Sequence, residues 1–360
     1  MPRDSTPPID MAEATRLTRE GRLDEAMAVL RGGAPLPAKV PAGAAASARP
    51  AIDAFESLQR KLGKGVRPPA GAAGRRPAPR AAVPAGAQIQ RLNHACSEGQ
   101  RAYDLYVPGG AGTAAPRPLL VMLHGCTQSA DDFTRGTRMN EQAEARGVLV
   151  AWPEQPSSAN PSRCWNWFNA ADQQRDHGEP AVLAGIARAV MAAHAVDPRR
   201  VFVAGLSAGA ATAATLGQLY PDLFAAVGVH SGLAAGAARD MTSAFGAMRG
   251  AAPGSPGRLP VRTIVFHGDA DGTVDPANAT QVLAQAAAGV ALLAEVESGQ
   301  TQAGVAYTRT RSRDGHGRIA LEYWNVQRMG HAWSGGSADG SYTAPDGPDA
   351  SAAMLDFFLG

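Results

Sequence analysis

Cysteine is scarce in this chain: Cys96, Cys126 and Cys164 are the only three in 360 residues. That is too few and too scattered for a disulfide framework or a structural zinc site. A Cys126–Cys164 bond is compatible with the sequence, but spacing alone neither requires nor excludes it. Lysine is confined to Lys39, Lys61 and Lys64. Aromatic residues make up only 6%. No stretch of about 20 apolar residues occurs, which excludes an ordinary membrane-spanning helix. The opening MPRDSTPPIDMAEATRL has no apolar segment behind a basic start, so no export signal is visible and the sequence by itself reads as cytoplasmic. The formal net charge is only +2. It is unevenly spread: residues 1–92 carry 15 Lys/Arg against 8 Asp/Glu, and residues 93–360 carry 19 against 24. A nucleic-acid-binding body would be basic; this one is acidic.

What is present falls into three regions. Residues 1–33 have the spacing of a helical hairpin broken at Gly21 and stopped at Gly32-Gly33. Residues 34–92 read as a basic Ala/Pro/Gly-rich linker, with seven basic and no acidic residues between Arg60 and Arg80. Such a segment is either solvated chain or a tether to an anionic surface or polymer granule. From 93 to 360 short apolar runs alternate with helical patterns. Strands are expected at 101–108, 118–125, 148–153, 200–206, 225–231 and 261–269, with a hairpin pair at 304–313 and 318–326. Helices are expected at 129–146, 179–195, 208–220, 276–288 and 348–359. That alternation predicts an α/β fold, a doubly wound and mostly parallel sheet.

The chemistry concentrates at the ends of the expected strands. Gly205-Leu206-Ser207-Ala208-Gly209 fits G-x-S-x-G between a strand and a helix, where a tight turn exposes a serine as a nucleophile. The same letters arise by chance in glycine-rich chains, so the strand–helix context carries the assignment. Leu123-His124-Gly125-Cys126 follows an earlier strand, making the amides of Cys126 and Ala208 candidate oxyanion donors. A nucleophilic role for Cys126 itself is disfavoured, since no base is placed for it. In this architecture an acid and then a histidine follow the serine. His230 and His267 fall in or at the end of strands, and His316 in a hairpin turn. His331, on a loop before the final helix, is the candidate base. Asp269, Asp271 and Asp275 compete for the acid; Asp269 suits a loop brace and Asp275 a helix cap, which leaves Asp271. A metal site from these three aspartates is the weaker reading. Trp165, Trp167 and Phe168, with Trp333, are candidates for a substrate-binding wall, against ordinary packing under a long loop.

HGCTQ, the CWNWF…DQQRDHGEPA segment (164–181), GLSAG, HGDADGTV and GHAWSGG occur in that order. Together they resemble the poly(3-hydroxybutyrate) depolymerase-type esterases, α/β-hydrolases similar to the feruloyl and acetylxylan esterases of carbohydrate esterase family 1. The resemblance implies a Ser–Asp–His esterase with no cofactor and no metal, its triad falling on Ser207, Asp271 and His331. It also implies an often extracellular setting, unlike the cytoplasmic reading of the bare sequence. The expected substrates are short-chain hydroxyalkanoate esters or polyesters, then hydroxycinnamoyl or acetyl esters on plant polysaccharide. A competing function of another class is a non-catalytic granule-binding protein using residues 1–92.

Overall fold

The computed structural model describes residues 83–110, 115–251 and 257–360. The expected helical hairpin at 1–33, and the linker up to residue 82, lie outside the described residues.

Ten strands form one sheet in the order β1-β2-β4-β3-β5-β6-β7-β10-β9-β8. β3 (Arg117–Leu123), β4 (Leu149–Pro153), β5 (Val196–Leu206), β6 (Ala226–His230), β7 (Arg262–Gly268) and β10 (Ile319–Val326) are parallel. Antiparallel strands extend both edges: β1 (Gln88–Cys96) and β2 (Gly99–Val107) on one side, β9 (Ala306–Arg313) and β8 (Leu293–Gln300) on the other. The parallel strands are continuous apolar runs because both of their faces are covered. Leu119, Val121 and Leu123 of β3 join one core cluster, while Leu120 and Met122 join the other.

Helices α1 (Ala130–Thr137), α2 (Met139–Arg146) and α7 (Ala350–Leu359) cover one face. Helices α3 (Gly178–Ala193), α4 (Ala208–Leu219) and α6 (Ala277–Ala287) cover the other. A short helix, α5 (Met241–Met248), lies between β6 and β7 in the chain. No helix among the described residues is long and apolar enough to cross a membrane.

Four details differ from the sequence reading, one of them α5, a stretch where no helix was expected. The sheet begins at Gln88, so its first strand starts inside the stretch assigned to linker and runs past its end. β1 is an edge strand with few apolar residues, which leaves little pattern to read. The helix expected at 129–146 is two helices, because Arg138 takes a left-handed conformation at φ 55°. β8 was not expected at all; it is an outer strand whose residues are nearly all exposed.

The topology also locates a crevice. The chain runs from β3 to β4, then crosses back over β3 to β5 and continues outward through β6 and β7. The strand order reverses between β3 and β5, and open α/β sheets bind ligands beyond the carboxyl ends of the strands at such a reversal. Cys126 follows β3 and Ser207 follows β5, which puts both at that point.

Candidate active site

Ser207 sits on the turn from β5 into α4 with φ 57° and ψ −119°. A positive φ on a non-glycine residue is strained and persists only where the surroundings hold it. Here the Ser207 N–H donates to the His230 carbonyl at 3.0 Å. The flanking glycines are sterically required. A β-carbon on Gly209 would stand 2.1 Å from the Leu123 carbonyl oxygen, and one on Gly205 would stand 2.6 Å from the same atom. Bare backbone at both positions lets the end of β3 press against the turn.

That close approach brings the loop after β3 beside the serine. Among the described residues, the N–H groups of Cys126 and Ala208 donate to no protein acceptor. Two free amides flanking a serine can hold a negative oxygen as it develops on a bound carbonyl. The loop carrying the first amide is tied at several points. Gln128 accepts the Gly125 N–H at 2.9 Å and donates to Asp132 and to the Ser341 carbonyl, each at 3.1 Å. The Thr127 N–H donates to the Ser162 carbonyl at 2.7 Å. Cys126 is disulfide-bonded to Cys164, the pairing that spacing alone left open.

Asp271 and His331 come together from loops 60 residues apart in the chain, with His331 Nδ1 2.8 Å from an Asp271 carboxylate oxygen. The other oxygen accepts the N–H groups of Thr273 and Val274, both at 2.9 Å. Burial by itself raises a carboxyl pKa. The His331 ring, His267 and the Val274 N–H outweigh it and hold Asp271 below the usual carboxylate range. Gly268 makes the meeting possible: a β-carbon there would stand 2.0 Å from the Met329 carbonyl oxygen, so the chain leading to His331 lies against the end of β7. The neighbouring aspartates are occupied elsewhere. Asp269 accepts the Arg328 N–H at 2.5 Å, and Asp275 accepts the Ala277 N–H at 2.9 Å at the start of α6. No cluster suited to a metal ion occurs among the described residues.

Three other histidines near the strand ends are buried and held neutral. His124 accepts the Gln155 N–H at 3.1 Å and lies 2.8 Å from the Gly125 carbonyl, and burial pulls its pKa down to about 4. His230 accepts the Ser334 N–H at 3.0 Å, and burial holds it well below its ordinary value. His267 stands 2.9 Å from the Val274 carbonyl, and burial lowers it too. His124 lies between backbone groups, His230 also faces the Ser231 hydroxyl at 3.2 Å, and His267 Nε2 stands 3.5 Å from an Asp271 carboxylate oxygen. Of the four, His331 alone opens on the cavity.

That cavity measures about 110 Å³ and has Ser207 and His331 on its wall. The two share it, and no hydrogen bond joins them directly. Trp167 and Phe168, packed edge to face at 5.7 Å, form one side. Trp165 and Trp333, also candidates from sequence, do not line it. Trp165 is fully buried and donates its indole N–H to the His124 carbonyl at 3.1 Å; Trp333 is buried against Phe133 and His230 and donates to Ser351 at 3.1 Å. Each indole finds an internal acceptor, so the whole ring is stable inside the core. The wall also includes Leu233, Met241, Phe245, Met248, Val274 and Tyr342, none of which the sequence reading singled out. The only local signal for them is the helical spacing of Met241, Ala244, Phe245 and Met248, one face of α5. Tyr342 is 45% exposed, with its hydroxyl 3.2 Å from Thr127 Oγ1 beside the free amide.

The aromatic side stands on a buried polar anchor. Glu179 accepts the Asn166 N–H at 2.7 Å, the Asn166 side-chain amide at 2.8 Å, the Gln155 amide and, at 3.1 Å, the Arg101 guanidinium. Burial raises its carboxyl pKa, and these bonds partly offset the rise.

A family model described as esterase PHB depolymerase matches residues 101–305. Poly(3-hydroxyalkanoate) depolymerase C of Paucimonas lemoignei is 34% identical over 190 residues, covering 49% of this chain and 45% of that protein. A probable acetylxylan esterase A of Aspergillus clavatus is 30% identical over 195 residues, covering 48% and 61%. Feruloyl esterase B of Thermothelomyces thermophilus is 32% identical over 204 residues, covering 50% and 67%. The chain thus spans between 45% and 67% of the length of these three relatives. In fold it is similar to the acetyl xylan esterase of Aspergillus awamori, with a TM-score of 0.56 at 20% identity, covering 76% of this chain and 99% of that one.

Proposed function

The chain belongs to the esterase PHB depolymerase family, and on that premise we propose that it is a serine carboxylesterase working through an acyl-enzyme. Ser207 is the nucleophile in this reading. His331, its Nδ1–H donated to Asp271, keeps a lone pair on Nε2 to take the serine proton. As the hydroxyl oxygen bonds to the ester carbon, the carbonyl electrons move to oxygen, and the amides of Cys126 and Ala208 receive that charge. His331 then returns the proton to the departing alcohol. Water repeats the sequence on the acyl-enzyme and frees the acid and Ser207. Asp271 stays ionised throughout, consistent with its lowered pKa. The observation that carries the proposal is the 2.8 Å Asp271–His331 contact on the same cavity as a serine held at φ 57°.

The cavity supports a short, uncharged acyl group. No Asp, Glu, Lys or Arg is among its lining residues, and its volume is about 110 Å³. Short-chain hydroxyalkanoate esters or their oligomers fit that description better than a bulky hydroxycinnamoyl group. Acetyl esters on polysaccharide are the second reading, favoured by the acetylxylan esterase relatives. Hydrolysis of p-nitrophenyl butyrate by wild type and Ser207→Ala tests the mechanism. The variant is expected to lose at least about 10³-fold in kcat; equal rates would overturn the assignment. Comparing 3-hydroxybutyrate oligomers, methyl ferulate and acetylated xylan tests the acyl group. A higher kcat/KM on the ferulate would overturn the short-acyl reading.

A further inference from the structure

Behind the wall formed by α5 lies a second cavity of about 140 Å³, bounded by Phe245, Met248, Arg249, Asp271, Thr273 and Asp275. Phe245, Met248 and Thr273 also bound the first cavity, so these three side chains are the partition between the two. The chambers differ in character. The inner one, around Ser207, is walled mostly by apolar side chains and has no charged Asp, Glu, Lys or Arg, whereas the outer one has the exposed Arg249 and Asp275 on its rim.

The helix that supplies the partition is firmly placed. Asp240 and Ser243 close a reciprocal cap at its start. At its end the Asp275 N–H donates to the Met248 carbonyl at 2.7 Å, and the Asn278 side chain donates to the Ala247 carbonyl at 3.0 Å. The first of these bonds joins α5 to the loop that carries Asp271, so the partition has a fixed position relative to the reacting atoms. Met241, Ala244, Phe245 and Met248 recur at the spacing of one helix face, and all four line the inner cavity. Phe245 and Met248 are only half-buried, so truncating either is expected to cost less than truncating a fully buried side chain.

We propose that α5 is the acyl-length gauge of this site, with Phe245 and Met248 closing the inner chamber against acyl chains longer than it can hold. The inference rests on the esterase reading of Ser207, Asp271 and His331. Removing either side chain joins the inner chamber to the outer one, and a longer acyl tail then passes through the opening. Enlarging Met248 shortens the chamber and favours the smallest acyl groups.

The test is a series of p-nitrophenyl esters from acetate to octanoate, read as kcat/KM on wild type, Phe245→Ala, Met248→Ala and Met248→Trp. Thr242→Ala, on the exposed face of the same helix, is the control. Both alanine variants are expected to raise the octanoate-to-butyrate ratio by about tenfold or more, the scale on which an apolar pocket discriminates. Met248→Trp is expected to lower the butyrate-to-acetate ratio by a similar factor, and Thr242→Ala to change neither. The opposite signs separate a gauge from general damage, because a loosened fold lowers every ester together. Wild type active on the series, with unchanged ratios in all three partition variants, overturns the gauge alone. Wild type inactive on every ester overturns the esterase reading itself.

Discussion

The two sides of the cavity are built on different principles. The side carrying Trp167 and Phe168 is braced by the Cys126–Cys164 bond and by Glu179, whose carboxylate is 94% enclosed and takes hydrogen bonds from three other residues. The other part of the wall is a two-turn helix, packed into the same apolar cluster as Trp167 and Phe168, that presents methionines and a phenylalanine, adaptable groups that fill irregular space. Buried polar networks fix a geometry because each lost bond leaves an unsatisfied group, whereas apolar contacts can be exchanged at small cost. The braced side therefore holds an amide in register with the serine, and the soft side is free to set what fits. Its failure modes differ accordingly: the first loses fold and rate together, the second only selectivity.

Between the two sides, Asp271→Asn provides the scale for a purely chemical defect. It keeps the shape but weakens the hold on the His331 tautomer, so kcat on p-nitrophenyl butyrate should fall about 10³- to 10⁴-fold with little change in Tm. A Tm loss as large as that of a core variant would show that Asp271 is chiefly structural. Glu179→Ala attacks the braced side. It leaves Arg101, 11% exposed, buried without its carboxylate, and should cost about 3–5 kcal/mol, a Tm drop of roughly 10 °C by calorimetry. An unchanged Tm would erase the contrast between the two sides.

The paired replacement of Cys126 and Cys164 by serine should be milder. Opening a link that spans 38 residues should cost about 2–4 kcal/mol in thermal unfolding. The same change should lower kcat about tenfold, since losing a single oxyanion donor outright costs about 10²- to 10³-fold and here the amide is only loosened.

Acid should weaken the fold through the neutral histidines that underlie both sides. Their folded pKa values lie below the unfolded value near 6.5, so the unfolded chain binds more protons as pH falls. Stability is therefore lost from about pH 6.5 downward until each folded pKa is reached, about 4 for His124, which alone contributes roughly 3 kcal/mol. Glu179, with its raised pKa, opposes this in part but is a single group. Melting followed from pH 7 to 4.5 should show a falling Tm; a flat profile would mean these rings take up protons in place.

Much of the fold was legible because parallel strands covered on both faces are unbroken apolar runs, and β3, β5, β6 and β7 all lie within or next to the predicted segments. Edge strands β1 and β8 were missed for the complementary reason: a strand with one open side has no obligatory apolar pattern. Among site residues, Ser207 and Cys126 stand out because steric need is written locally, as glycines around a turn and a loop directly after a strand. The tryptophans were not separable in this way. Trp165 and Trp167 share Asn166 as a neighbour and Trp333 stands two residues from His331, yet only Trp167 faces the cavity.

The sequence by itself thus determined the alternation of strands and helices, the strained serine turn, and the order of serine, acid and histidine along the chain. These are short-range matters of periodicity, backbone sterics and sequence order. The sparse cysteines show where that reach ends: three could be counted, but their pairing could not be read from spacing. The tertiary structure decided that Cys126 bonds to Cys164, that Asp271 rather than its neighbours meets His331, and that Met241, Phe245 and Met248 wall the cavity. Each of those outcomes depends on which distant segments the sheet order brings together, and no local pattern encodes that distance.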